Sequence, residues 1–148
     1  MASVIKAKAE CEELLNAALP FAEKMLGEHG EFFPYGGAMR PNGEIVSVAG
    51  YDGRERPPSL DIIELIKSAF VKGAHDGSYK ATALVYDVRV AISDSNPSRD
   101  AVAVSLNHED GYSVVVLFPY TLNAGNVVFG EAIAEAGDAD IFPAHPIH

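Results

Sequence analysis

The chain has 148 residues, 48% apolar and 22% charged, enough to bury a core in one domain spanning 1–148, and no unbroken apolar run reaches membrane-spanning length. Twenty-one acidic against eleven basic side chains leave a formal net charge of −10, which repels phosphate backbones and argues against nucleic acid as a partner. The same charge keeps a small protein soluble and steers it toward basic partner proteins.

The first element is a helix. Val4, Ala7, Cys11, Leu14, Leu15, Ala18, Ala22, Met25 and Leu26 recur at helical spacing, Ser3 is placed to cap the start, and Gly27 and Gly30 to end it. Pro20 lacks a ladder donor, so a kink or a break is expected there. Lys6, Lys8 and Glu10 interrupt the apolar run that a signal peptide would need, and the lone Cys11 has no internal disulfide partner, which together predict a cytoplasmic, reduced protein away from the membrane. Cys11 lies on the inward stripe and reads as a small core residue.

A hairpin follows, with strands over 33–39 and 44–51 and Asn42-Gly43 suited to a type I′ turn. The loop "YDGRERPPS" leads to a second helix over Leu60 to about Ala74, capped by Ser59, with Ile62, Ile63, Ile66, Ala69 and Phe70 buried. The third strand, over 79–93, alternates between a core face (Thr82, Leu84, Tyr86, Val88) and a second face that carries Asp87 and Arg89. Strands over 101–108 and 112–120 form another hairpin. A three-residue loop, Glu109-Asp110-Gly111, sets His108, Leu106, Val104 and Val102 across from Tyr112, Val114, Val116 and Phe118, apolar against apolar. A short strand near 126–133 precedes an extended tail over 136–148.

These elements predict an α+β fold: a mainly antiparallel sheet of five to six strands with both helices packed on one face. Numbered in chain order, the strands are expected in the order 2-1-5-4-3, with "FPY" at the start of strand 1 and again at the end of strand 5. That order would make Tyr35 and Tyr120 neighbours rimming a shallow pocket, each motif's proline at a strand terminus. The element order over residues 4 to 120 is similar to that of profilin-like and roadblock-like domains, and this resemblance implies a ligand-sensing or dimerising module.

Chemistry-bearing motifs are sparse. There is no GxSxG elbow, P-loop, GxGxxG, HExxH or CxxC pair, so no catalytic residue, cofactor or metal is assigned. His108, Glu109 and Asp110 read as turn chemistry, and His145 and His148, with Asp138 and Asp140 upstream, as a tail without four fixed ligands. Two candidate ligand sites remain. Arg54 and Arg56, just before the helix start at Ser59, are suited to an anionic small molecule, and Asp87 and Arg89, with Ser105, Asn107 and Ser113, to a polar cleft. The sequence thus points to a non-catalytic binding or regulatory protein, immunity-like or dimerising, that acts on a protein partner or on itself. The alternative is a small-ligand binder or an enzyme using the Asp87/Arg89 face or the Arg54/Arg56 loop.

Overall fold

A computed structural model describes residues 2–49, 59–90 and 99–143. Along the chain lie α1 (Ala2–His29), β1 (Tyr35–Met39), β2 (Ile45–Val48), α2 (Ser59–His75), β3 (Ala81–Val90), β4 (Arg99–His108), β5 (Ser113–Asn123), β6 (Asn126–Phe129) and β7 (Ile133–Ala136). Every strand pair is antiparallel, and the fold is of the α+β class.

The sheet runs β2-β1-β3-β4-β5-β6, with β7 also on β5, and so departs from the expected order 2-1-5-4-3. The reason lies in β3. The expected order makes it an edge strand with one wet face, yet Ala81 through Val85 are buried on both faces, which only an interior strand allows. The strand directions are as expected: β3 runs parallel to β2, and β5 antiparallel to β1.

The helices pack on opposite faces rather than on one. Ala81, Ala83 and Val85 join Cys11, Leu14 and Ala18 of α1, whereas Leu84 and Tyr86 meet Ile62, Ile66 and Phe70 of α2. Strand alternation alone separates the two clusters. Glycine and alanine in β1 let both helices come close: a Cβ on Gly36 would lie 2.6 Å from Phe70 Cζ, and one on Gly37 3.4 Å from Leu14 Cδ1.

Pro20 does not divide α1, which is helical throughout 2–29. Gly27 lies inside it; a Cβ there would stand 3.2 Å from the Gly125 carbonyl oxygen, so this glycine admits the β5–β6 turn. Gly30, at φ 74°, ends the helix, its N–H donating to the Leu26 carbonyl at 2.9 Å.

The β1–β2 and β4–β5 hairpins use the same turn. The β4–β5 register is the expected one, from Val102 opposite Phe118 to Leu106 opposite Val114, with Gly111 at φ 96°. At β1–β2 the loop has three residues (Pro41, Asn42, Gly43) rather than the expected two. Gly43 alone takes positive φ, and its N–H donates to the Arg40 carbonyl at 2.8 Å. A two-residue loop would place Pro41, which has no N–H, in the ladder; instead it takes the second position of a type I turn, and Asn42 Oδ1 accepts the Glu44 N–H at 2.9 Å.

β6 and β7 form one interrupted edge strand along β5. Tyr120 faces Phe129 and Leu117 faces Ile133, so one extra residue is accommodated between them. Pro119 therefore sits not at a strand end but opposite this bulge, where its carbonyl accepts the Gly130 N–H at 2.7 Å and its missing N–H breaks no ladder bond. Beyond β7, residues 137–143 turn back over the α2 face: Ile141 is only 5% exposed, and Asp140 pairs with Lys67 at 3.0 Å. Residues 144–148 lie outside those described.

Closeness of the two helices generates a prediction. Gly36→Ala is expected to destabilise the fold by about 1–3 kcal/mol, measured by urea unfolding, and Phe70→Leu in the same chain to recover part of that loss. Additive losses would show that Phe70 does not meet the strand at Gly36.

Candidate functional site

A groove of about 360 Å³ lies between the middle of α1 and the β1–β2 hairpin. Its lining includes Ala17, Phe21, Tyr35, Ile45 and Val48, with the Gly36-Gly37 backbone as floor. Helical spacing places Ala17 and Phe21 off the buried stripe of Leu14, Ala18 and Ala22, and Phe21 remains 49% exposed.

Tyr35 fixes one wall. Its hydroxyl accepts the Ala22 N–H at 3.0 Å and donates to the Ala18 carbonyl at 2.6 Å, the two groups an uninterrupted helix bonds to each other. This bridge lies in the turn that contains Pro20. Burial pushes the Tyr35 hydroxyl up to about 12, opposed by the Ala22 hydrogen bond, so it keeps the proton it donates. Phe21 and Phe32 stand edge-on to the ring, with centroids 4.9 and 6.0 Å away.

A second polar cluster holds the other half of α1. Glu10 receives Lys80 Nζ on Oε2 and lies 2.9 Å from His108 Nε2 through Oε1. The Asp110 N–H donates to His108 Nδ1 at 3.1 Å, which leaves the Nε2 proton for Glu10. Burial raises the pKa of Glu10, but the hydrogen bonds and charges of Lys80 and His108 outweigh it and hold the carboxyl below its ordinary value. His108, read from sequence as turn chemistry, is thus a buried contact between sheet and helix. Its partner lies 98 residues away in sequence, beyond any local motif.

The expected site residues do not converge. Tyr35 and Tyr120 share the α1 face, but β3 and β4 separate their strands, three spacings of about 4.8 Å, and the register sets Tyr35 level with Val116, four residues short of Tyr120. They rim no common pocket. Tyr120 is buried and donates to Asp87 Oδ1 at 2.9 Å. Burial lifts the Asp87 carboxyl above its usual range, the Tyr120 hydrogen bond partly offsets this and Asp100 adds to it; burial and Asp87 likewise raise Tyr120. Arg89 is exposed, and Asp87 lies opposite Val102, so Ser105, Asn107 and Ser113 belong to the other face of the sheet. The polar cleft expected from those five residues does not form. Ser59 is the exposed first residue of α2, while Arg54 and Arg56 lie outside the described residues. Cys11 is fully buried, and burial pushes its thiol up to about 12.

Among the described residues, no group of three or more His, Cys, Asp or Glu side chains is arranged to hold a metal ion, and no helix is long and apolar enough to cross a membrane. The groove residues Ala17, Phe21, Ile45 and Val48 are not singled out by sequence. Their signals are weak ones: an aromatic side chain outside the helical stripe, and a strand without charge. The chain matches no family model, no curated protein and no solved structure.

Two substitutions test the tethers of α1. Tyr35→Phe is expected to cost about 1–2 kcal/mol in chemical unfolding, because two helix groups lose their bridging hydroxyl. Glu10→Gln tests linkage: a depressed folded pKa contributes stability above the unfolded value near 4.5 and loses it as pH falls through the folded one. The parent should therefore show a steeper loss of stability than Glu10→Gln as pH falls from about 5 toward 3. Parallel pH profiles would contradict the contribution assigned to Glu10.

Proposed function

We propose that the chain is a non-catalytic binding module that acts by docking a partner protein on the face formed by α1 and the β1–β2 hairpin. One observation carries this reading: an open apolar groove lies beside an outer strand, Ile45–Val48, that holds no charged side chain. Exposed apolar surface of this kind marks interaction sites on small proteins.

The groove does not favour a small-molecule reaction site, which would need several polar groups converging on a ligand. The Tyr35 hydroxyl is engaged by α1, leaving the Ser47 side chain as the other hydroxyl of the lining. Elsewhere, Asp87 is engaged by Tyr120, and Glu10 and His108 by each other. The net charge of −10 supports a basic partner and a fast, salt-dependent encounter.

The reading is tested by photo-cross-linking in extract of the native cell. A benzophenone amino acid at Phe21 is expected to yield a discrete adduct with a partner protein, and one at Leu60, exposed on α2, to yield none. No adduct at Phe21, or the same adducts at both positions, would reject the docking face.

A further inference from the structure

The two edges of the sheet are built differently. On one side, β6 and β7 are interrupted by a bulge, and Glu131 and Glu135 stand in or beside it. Bulges and charges are the usual devices that keep an edge from pairing with another chain. At the other side, β2 reads Ile45-Val46-Ser47-Val48, with neither bulge, proline nor charge, and among the described residues no strand pairs its outer side.

The ladder fixes which backbone groups that side presents. The Arg40 N–H donates to the Glu44 carbonyl, which makes this a hydrogen-bonded pair. In an antiparallel ribbon bonded and non-bonded pairs alternate, so Val46 and Val48 turn their N–H and C=O groups toward β1, and Ile45 and Ser47 turn theirs outward. The side chains of Ile45 and Ser47 lie on the α1 face and belong to the groove lining with Phe21. An added strand would bond Ile45 and Ser47 through its backbone and drop alternate side chains beside Phe21.

Resting on the docking face argued above, we infer that its occupant is an extended segment of a basic partner protein, added to β2 as a further strand with an apolar side chain in the groove. Charge decides against a second copy. Each chain carries −10, and Glu13 and Glu28 share with Lys24 the exposed α1 face that holds Ala17 and Phe21. Arg40, beside the hairpin, is already paired to Glu44 at 3.2 Å. Two copies meet as like charges, whereas a lysine-rich strand meets opposite ones. Backbone pairing supplies the attachment and the groove the choice of side chain, the division of labour seen in strand-addition complexes generally.

The probe is a capped peptide of alternating lysine and valine, seven residues long, followed by fluorescence anisotropy at low salt with the full chain. Binding is expected for this peptide and not for its glutamate–valine counterpart, and N-methylation of the peptide's central amides should weaken it at least tenfold. Ser47→Pro, which removes an outward N–H and leaves the bonds to β1 in place, should weaken it similarly at unchanged unfolding midpoint. Should that variant fold poorly, the N-methylated peptide still separates strand addition from other modes of binding. Equal binding of methylated and unmethylated peptides, or of both charge types, would overturn the strand assignment. A chain that sediments as a dimer, and as a monomer after Ser47→Pro, would replace the basic partner with a second copy. If the Phe21 adduct persists while the peptide fails, the docking face stands and strand addition falls; if both fail, both fall.

Discussion

Two helices approach a pair of strands from opposite sides, and that is possible because the strands are nearly bare. Gly36, Gly37 and Ala38 of β1 face Ala83 and Thr82 among others on β3, so little side-chain volume keeps Phe70 and Ile66 of α2, or Leu14 and Ala18 of α1, from the backbone. Once both faces are covered there, β1 and β3 must be interior strands, since a buried unpaired ladder would leave backbone donors and acceptors unsatisfied. β2, which β1 pairs on its other side, is consequently the outermost strand among the described residues, and α2 carries the chain past β1 to β3.

The long helix is held to this layer by polar contacts at two levels. Glu10 reaches Lys80 and His108 near the turn end of the sheet, and Tyr35 bridges Ala18 and Ala22 toward the other end. Between them Cys11 and Leu14 are fully buried against the sheet. The turn that contains Pro20 receives the Tyr35 side chain from the sheet, and that side chain forms one wall of the groove.

Much of this is legible in the residues. Alternation and turn chemistry set the β4–β5 register to the residue, because the three-residue loop sets Val102, Val104 and Leu106 against Phe118, Val116 and Val114. Helical spacing places Cys11 inside. What sequence does not reveal are the partners across the fold. A face carrying Asp87 and Arg89 reads as wet throughout, although Ala81, Ala83 and Val85 on it are buried by α1, and only its far end emerges. Alanine is compatible with either environment, so the pattern does not decide between one covered face and two. The same ambiguity hides the strand order, and with it the separation of Tyr35 from Tyr120. His108 is ambiguous for a related reason: next to a Glu-Asp-Gly turn it resembles loop chemistry, and its buried role depends on a helix at the opposite end of the chain.

The proposed function depends on β2 being a free edge beside an apolar groove. Site-resolved hydrogen–deuterium exchange of the full chain addresses this without any partner in hand. The amides of Ile45 and Ser47 are expected to exchange close to their intrinsic rates, while those of Val46 and Val48, bonded to β1, are strongly protected. Protection of Ile45 and Ser47 equal to that of Val46 and Val48 would mean that the edge is already covered, and would contradict the docking of a strand there.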